Sequence, residues 1–483
     1  MKFSTFIPFL PFLLESATAL DPIVIKNNTF YIGDSDERFY IRGVDYQPGG
    51  SSNLTDPLGD PEICERDIPY FTELGLNTIR VYSLDNTLNH TECMNKLQDA
   101  GIYVILDVNT PNSAISRSNP SCSYNLDYMT EVFATVDSFA SFNNTLGFFA
   151  ANELVNNEAT FQVSPYIKAV TRDIKQYIAA QNYRTIPVGY SAADVAEIRY
   201  ELAHYLNCGD IEDERIDMLG VNDYSWCGHS SYIVSGYNSK VSSYSGYSLP
   251  IFMSEYGCNE VVDSRPFTEV QVIYSTLMSS VFSGGLVYEY FEESNNYGLV
   301  NVSGSNVTPL TDFYNLQSML NSTTNPTGDG GALHYNYSSC PTGLNFSIAV
   351  PDQPSGLTAL IKSGPNGNNY GFEADTLDSC DDDDDDDITS SSSFYSSSFI
   401  SSSLHSSSMA SSSYKASVVT SSKDTTLITS SIISTSSTHT SSVVTSTSSV
   451  SSISSTSKND AAELGSSNSF MSLIAIIAGI LYF

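Results

Sequence analysis

Short apolar runs alternate with amphipathic stretches along most of the chain. Helical periodicity is clearest over residues 62–74, 128–142 and 166–181. The intervening runs, rich in Val, Ile, Phe and Tyr, predict strands buried on both faces, at residues 39–44, 77–82, 102–108, 146–151, 185–189, 216–221, 251–254 and 285–290. Eight strand–helix units in about 250 residues predict an α/β fold, a (β/α)8 TIM barrel. A doubly wound open sheet is the alternative, but no Gly-rich phosphate loop follows any of these strands.

The composition changes after the predicted barrel. Residues 20–340 are mixed and aromatic-rich, which predicts one large catalytic domain. Residues 341–387 form an irregular extension that ends in a run of aspartates. This run predicts a solvated spacer rather than a calcium site, because calcium ligands are spaced around a turn. Residues 388–458 are dominated by Ser and Thr and predict a disordered, O-glycosylated stalk.

The N-terminus carries the features of a secretion signal. Lys2 precedes an apolar run over residues 6–14, and Ala17-Thr18-Ala19 offers a small-residue cleavage site. The run is too short to span a bilayer, which takes about 20 residues. We therefore expect a signal peptide over residues 1–19, with a buried first helix as the alternative.

The last residues are typical of a glycosylphosphatidylinositol (GPI) anchor signal, expected over residues 459–483. Small residues from Asn459 onward are followed by a polar spacer and an apolar tail at 470–483. Gly465 is the alternative attachment site, and a tail-anchored helix would want a cationic flank that this sequence does not offer. A GPI anchor would hold the protein at the outer face of the plasma membrane and in the cell wall, where we expect a monomer.

Secretion agrees with the remaining composition. Eight cysteines in an exported chain indicate disulfides. The net charge of −34 argues against nucleic acid and anionic lipid as partners. With no CxxC pair and no HExxH motif, we predict neither metal nor cofactor. N-glycosylation sequons, typical of secreted proteins, occur at Asn27, Asn53, Asn89, Asn143, Asn301, Asn306, Asn321, Asn336 and Asn345.

Polar and aromatic side chains follow the predicted strands, where TIM barrels carry their active sites. Glu153 follows the fourth strand and Glu255 the seventh. The other strand ends present Asp45, Gln47, Arg80, Tyr82, Asp107, Asn152, Tyr224, Trp226, Tyr288 and Glu289. This mixture of carboxylates, amides and aromatic rings predicts a sugar-binding site.

The two glutamates suggest glycoside cleavage with retention, which needs two carboxyls about 5 Å apart. We expect Glu153 to have a raised pKa and to act as the acid/base, and Glu255 to stay ionised as the nucleophile. Arg80 would keep Glu255 ionised, and Asn152 would hold the sugar 2-hydroxyl. A single Glu after a strand is more often a charge at a helix N-terminus, but two such residues in one barrel weaken that interpretation.

The other rim residues have two interpretations each. Tyr82, Tyr224, Trp226 and Tyr288 are either stacking platforms for sugar rings or packing at the rim. Glu289 and Asp107 are more readily explained as hydrogen-bonding or structural carboxylates than as catalysts.

The sequence resembles the fungal β-1,3-glucanosyltransferases of glycoside hydrolase family 72. The resemblance extends over nearly the whole chain, and its motifs are longer and more specific than an Asn-Glu pair. They are YIRGVDYQPGG at residues 40–50, NTIRVY at 77–82, GFFAANE at 147–153, NDYSWC at 222–227 and SEYGCN at 254–259.

The resemblance implies Glu153 as acid/base and Glu255 as nucleophile, acting on β-1,3-glucan as donor and acceptor. Donor contacts would be Tyr82, Asn152 and Tyr288, acceptor contacts Asp194 and Arg199, and further pocket residues Gln47, Asp107 and Tyr224. It also implies the disulfides Cys64–Cys93, Cys208–Cys340 and Cys227–Cys258, and leaves the pairing of Cys122 and Cys380 open. Only Cys340 and Cys380 follow the barrel, too few for the Cys-rich carbohydrate-binding module of some members.

Three functions remain open from the sequence. The resemblance implies a transferase that cleaves a glucan internally and joins the new reducing end to the non-reducing end of another chain. A retaining endo-β-1,3-glucanase would use the same two glutamates. A non-catalytic, GPI-anchored wall glycoprotein would share the stalk, the anchor signal and the sequons.

Overall fold

The computed structural model describes residues 20–50, 53–377 and 380. The expected signal peptide, the aspartate run, the Ser/Thr stalk and the anchor signal lie outside the described residues. Within the described ranges, no helix is both long enough and apolar enough to cross a membrane.

Thirteen strands form three sheets in the described part of the chain. A small antiparallel sheet comes first, with β1 (Ile23–Lys26), β2 (Thr29–Ile32) and β3 (Arg38–Phe39). A hairpin comes last, with β12 (Val300–Ser303) and β13 (Asn306–Pro309). Between them, eight parallel strands close a barrel in sequence order, with β11 pairing back onto β4. They are β4 (Ile41–Tyr46), β5 (Thr78–Val81), β6 (Tyr103–Asp107), β7 (Thr145–Asn152), β8 (Val188–Ala193), β9 (Met218–Cys227), β10 (Ile251–Cys258) and β11 (Phe282–Val287).

The helices surround the barrel, and the first of them begins and ends at conventional capping residues. The Asp60 side chain accepts from the Glu62 N–H at the start of the first helix, and Gly75 ends it with a φ of 71°. The α-helices are α1 (Pro61–Leu74), α2 (Thr91–Asp99), α3 (Pro120–Ser123), α4 (Leu126–Phe139), α5 (Ser164–Ala180), α6 (Arg199–Leu206), α7 (Tyr237–Ser243), α8 (Val270–Ile273), α9 (Thr311–Ser322) and α10 (Leu357–Ser363). Short 3₁₀ helices cover Ala159–Val163, Glu212–Glu214 and Gly371–Glu373.

The predicted (β/α)8 barrel is confirmed, and the differences from the sequence lie at strand boundaries. Phe39 belongs to β3, so the first barrel strand runs from Ile41 to Tyr46 and includes Asp45. The fifth barrel strand begins after Pro187 rather than at residue 185, since a proline has no N–H to donate to the ladder. The eighth barrel strand ends at Val287, before the Tyr288-Glu289 pair.

The small first sheet closes the N-terminal end of the barrel. Phe30 packs edge-on against Phe252 at 5.9 Å between ring centroids, and Phe39 packs against Tyr103 at 5.2 Å. These rings belong to a separate apolar cluster inside the N-terminal end of the barrel. The opposite end, at the carboxyl ends of the strands, is left for the polar side chains.

Residues 341–377, expected to be irregular, pack onto the helices of the barrel, and we call them the C-terminal strap. The strap contains α10, which buries Leu357 and Ile361 against the core. Glu131 on α4 accepts the backbone N–H groups of Tyr370 and Gly371. The extension therefore adds to the structural unit formed by the barrel.

All eight cysteines form disulfides. Three bonds join the pairs implied by the family resemblance, namely Cys64–Cys93, Cys208–Cys340 and Cys227–Cys258. The fourth joins Cys122 to Cys380, the pairing that the sequence left open. Cys122 lies on α3, so this bond ties Cys380, which follows the C-terminal strap, to the region after β6.

Of the predicted N-glycosylation sites, all nine lie in the described part of the chain. Eight of these asparagines are exposed, and Asn143 is half-buried. Glycosylation itself remains a prediction.

Candidate active site

Glu153 stands directly after β7 in a left-handed backbone conformation, with a φ of 47°. Its N–H donates to the Ser191 carbonyl at 2.8 Å. Asn222 donates its side-chain amide to the Glu153 carboxylate at 2.9 Å and to the side-chain Oδ1 of Asn152 at 3.2 Å. Asn222 therefore holds the end of β7 from its place on β9.

Glu255 lies on β10 and is almost buried, with its side chain 10% exposed. Its Oε1 accepts from the Tyr82 hydroxyl at 2.9 Å and from Arg80 Nη1 at 3.3 Å. Its Oε2 accepts from the Tyr224 hydroxyl at 2.7 Å. Such convergent donors stabilise the ionised form of a carboxylate, the form that a nucleophile needs.

Arg80 is buried beneath these groups and is held by Asp107. Its Nε and Nη2 donate to the two carboxylate oxygens of Asp107 at 3.0 and 2.8 Å. The guanidinium also lies 4.0 Å from the centre of the Tyr82 ring. This fork geometry orients Arg80 toward Glu255, a task for Asp107 that the sequence did not specify.

The two glutamates are linked through Asn222. Asn222, which binds Glu153, is the register partner of Glu255 on the neighbouring strand. Burial raises the pKa of Glu255 to about 7, and the charge of Glu153 adds to this, while Arg80 and the Tyr224 and Tyr82 hydroxyls oppose it. Arg80, which was predicted to keep Glu255 ionised, therefore acts against burial and against the charge of the second carboxyl.

Two further buried carboxyls lie beside this network. Among the described residues, no group makes a hydrogen bond to either carboxyl oxygen of Asp45, which is fully buried. Burial raises the pKa of Asp45 well above its usual range against the charge of Arg80. Glu289 accepts from Asn295 at 2.8 Å, and burial raises the pKa of Glu289 to about 8. Both side chains favour the protonated state.

Tyrosine rings surround the mouth above Glu255. Tyr288 packs edge-on against Tyr82 and Tyr224, at centroid distances of 6.5 and 6.3 Å. Tyr297, which the sequence analysis did not single out, completes the group at 5.2 Å from Tyr288. These half-buried rings pack edge-on against one another. Their role as sugar platforms stays a prediction.

The other predicted contacts lie at the same end of the barrel, although Trp226 is buried there. Asn152 and Gln47 are half-buried residues at the ends of β7 and β4. Trp226 is 4% exposed, and its indole N–H donates to the Thr268 hydroxyl at 2.9 Å. Of the two interpretations of Trp226, packing at the rim is the one that fits.

Asp194 and Arg199 lie next to the Glu153 side of the mouth. Asp194 directly follows β8, whose last residue, Ala193, pairs with Asn222. Arg199 Nε approaches Asp194 Oδ1 at 3.0 Å. Lys240 Nζ contacts Asp194 Oδ2 at 2.8 Å and also binds Asp223. Lys240 reaches this site from α7, so no signal at a strand end could have revealed it.

Several known proteins are similar to this chain over most of its length. The Glucanosyltransferase profile of glycoside hydrolase family 72 matches residues 13–324. The chain belongs to this family. It is 56% identical over 372 residues to 1,3-beta-glucanosyltransferase GAS5 of Saccharomyces cerevisiae, and the match covers 76% of this chain and 77% of that protein. It is 52% identical over 384 residues to 1,3-beta-glucanosyltransferase PGA4 of Candida albicans, covering 79% and 85%.

Among solved structures, the family 72 chain is similar to Gas2p of Saccharomyces cerevisiae. A mutant of Gas2p in complex with laminaritetraose and laminaripentaose matches with a TM-score of 0.65 and 40% identity, covering 70% of this chain and 76% of that one. A Gas2p complex with laminaripentaose matches with a TM-score of 0.66 and 40% identity, covering 70% and 79%. The barrel described above is therefore the family's fold.

Proposed function

We propose that the protein is a retaining 1,3-beta-glucanosyltransferase that elongates β-1,3-glucan of the cell wall. The observation that carries the proposal is the Glu255 carboxylate, which accepts from Arg80, Tyr82 and Tyr224 while it interacts with Glu153. The relatives GAS5 and PGA4, both named 1,3-beta-glucanosyltransferases, support the reaction type. The Gas2p complexes with laminarioligosaccharides support the substrate class.

The proposed reaction has two displacements at one anomeric carbon. Glu255 attacks this carbon while Glu153 protonates the departing glycosidic oxygen, which gives a covalent glycosyl-enzyme. Glu153 then removes the proton from the 3-hydroxyl at the non-reducing end of a second glucan. The new C–O bond displaces Glu255, so the configuration is retained and the acceptor is lengthened.

The donors around each carboxyl support this division of labour. Glu255 accepts three hydrogen bonds that favour its anion, whereas the Glu153 carboxylate receives one, from Asn222. This difference supports Glu255 as the nucleophile and Glu153 as the residue that protonates the leaving group. Tyr82, Asn152 and Tyr288, with Gln47 and Tyr224, would then contact the donor sugar.

We further propose that the protein acts outside the cell as a GPI-anchored monomer attached at Asn459. The terminal signals and the exposed sequons support this location. The Ser/Thr stalk would hold the barrel away from the membrane.

Product lengths test the function. The full-length protein is incubated with a reduced laminarioligosaccharide, and the products are sized by mass spectrometry. Transfer gives products longer than the donor. An endo-β-1,3-glucanase would give only shorter products, and a non-catalytic wall glycoprotein would leave the donor unchanged.

Two variants test the roles of the glutamates. Glu255→Gln is expected to lower turnover by about 10⁵-fold, because the nucleophile is lost. Glu153→Gln is expected to lower it by about 10²–10⁴-fold, the usual contribution of a general acid. A donor with an activated leaving group should restore the first step in Glu153→Gln only. Equal rescue of both variants would refute the assignment.

A further inference from the structure

Lys240 is a buried lysine whose ammonium group makes three polar contacts. Its side chain is 5% exposed. Nζ donates to Asp194 Oδ2 at 2.8 Å and to Ser225 Oγ at 3.0 Å, and it also binds Asp223 Oδ2. An ammonium has three N–H donors, so this arrangement uses all of them and fixes the side chain.

These contacts join three elements of the barrel. Lys240 comes from α7, Asp223 and Ser225 lie on β9, and Asp194 stands just after β8. Asp223 follows Asn222, whose amide binds Glu153. Lys240 thus connects the helical layer to the part of the rim that lies beside Glu153.

Charge is balanced in this cluster. Two cations, Lys240 and Arg199, face two carboxylates, Asp194 and Asp223. We call these four residues, together with Ser225, the Asp194 clamp. Burial raises the pKa of Asp194, and the charge of Asp223 raises it further, while Lys240 and Arg199 lower it. Without Lys240, two neighbouring carboxylates would share Arg199 alone.

The side of the rim matters for the acceptor. In the second displacement the acceptor hydroxyl must reach Glu153, so the acceptor glucan enters beside Glu153. Asp194 directly follows Ala193, which pairs with Asn222 beside Glu153. Its side chain remains 15% exposed. A fixed carboxylate there can accept a hydrogen bond from an acceptor sugar.

We infer that Lys240 is a positioning residue for the acceptor subsite, where it fixes the orientation and the charge of Asp194 and thereby favours transfer over hydrolysis. The inference rests on the proposed transferase function. The glycosyl-enzyme is resolved either by a glucan hydroxyl or by water, and in both cases Glu153 takes the proton. A pre-oriented Asp194 helps the glucan compete with water, because less ordering is left to be done on binding.

The experiment measures how the glycosyl-enzyme is partitioned. Full-length Lys240→Met is given a reduced laminarioligosaccharide as donor and increasing laminaripentaose as acceptor, and longer and shorter products are quantified. We expect the acceptor KM to rise about tenfold and the ratio of transfer to hydrolysis to fall by a similar factor. A ratio and an acceptor KM within about twofold of wild type would overturn the inference.

A matched control separates positioning from simple destabilisation. Lys168 on α5 is also buried, but its Nζ donates to the carbonyl oxygens of Cys208 and Tyr205 rather than to carboxylates. Lys168→Met should lower the melting temperature and leave the partition ratio as in wild type. A fall of the ratio in both lysine variants would assign the effect to stability and overturn the inference.

A second variant covers the case in which Lys240→Met does not fold. Asp223→Asn combined with Lys240→Met removes one charge of each sign, and the same fall of the ratio is expected. Wild-type protein that yields only shorter products would overturn the proposed function together with this inference. Wild-type transfer with an unchanged ratio in the double variant would overturn the inference alone.

Discussion

Two buried charged clusters lie at the candidate active site, and they differ in their balance of charge. The nucleophile network comprises Arg80, Asp107, Tyr82, Tyr224 and Glu255, with one cation for two carboxylates. The Asp194 clamp matches its carboxylates with Lys240 and Arg199.

The difference in charge corresponds to a difference in task. A surplus of buried carboxyls raises pKa values, since each ionisation opposes the next. The pKa of Glu255 is raised to about 7, first by burial and then by the charge of Glu153. In the Asp194 clamp, burial raises the pKa of Asp194, and Lys240 and Arg199 oppose this rise and favour the ionised carboxylate. The network beside Glu255 is thus suited to chemistry, and the clamp is suited to holding a ligand.

The largest effect is expected from Arg80→Lys, which retains the charge but removes the fork. A lysine cannot hold both oxygens of Asp107 and reach Glu255 in a fixed plane. We expect kcat/KM for donor cleavage to fall by about 10³-fold, measured as the initial rate of donor loss at low donor concentration.

Arg66→Lys is the control for this variant. Arg66 makes a similar fork to Asp67, at 2.9 and 2.7 Å, away from Glu255. It should keep kcat/KM near the wild-type value. Similar losses in both variants would mean that Arg80 acts through stability rather than through Glu255.

Many residues of this site could be predicted from their positions at strand ends, but Lys240 and Tyr297 could not. Glu153, Glu255 and Arg80 each stand at the carboxyl end of an apolar run, and the barrel brings such positions together. Lys240 lies 17 residues beyond Asp223 on a helix, and Tyr297 lies in a loop after β11, so neither has a periodic signal.

The fold shows the same limit at its boundaries. Apolar runs reveal that a strand exists, but its ends depend on ladder hydrogen bonds, as at Pro187. The packing of the C-terminal strap depends on single contacts, such as Glu131 with the backbone of Tyr370. A Pro/Gly-rich sequence does not reveal these contacts.

The next effect concerns pH. Because Glu255 must be ionised to attack and its pKa is about 7, kcat/KM for donor cleavage should fall about tenfold per pH unit below that value. Tyr224→Phe removes a hydrogen bond to the anion, which raises the pKa of Glu255. The acidic limb of the profile should therefore move to higher pH by about one unit.

The position of the acidic limb separates a raised pKa of Glu255 from a lost sugar contact. A lost contact would lower the rate equally at every pH. Tyr237→Phe serves as the control, since the hydroxyl of this buried tyrosine makes no hydrogen bond within the described residues. Its limb should stay in place. An unmoved limb in Tyr224→Phe, or one at lower pH, would contradict the role given to the Tyr224 hydroxyl.

The smallest effect is expected from Asp45→Asn. An unsatisfied, fully buried carboxyl beside Glu255 should be protonated, and an asparagine has nearly the same shape and no charge. Turnover should stay within about threefold of wild type, and the acidic limb should not move. Asp107→Asn breaks the fork to Arg80 and should lower turnover by about 10²-fold.

The pH profile of Asp45→Asn reports the charge of Asp45 in wild type. If Asp45 were ionised, its replacement by Asn would remove a negative charge next to Glu255, lower the pKa of Glu255 and move the acidic limb to lower pH. Infrared difference spectra of wild type against Asp45→Asn at pH 7 report the same state directly, since only a protonated carboxyl contributes its C=O stretch. Absence of that band, together with a limb at lower pH, would show that Asp45 adds a third buried anion to the two carboxylates of the nucleophile network.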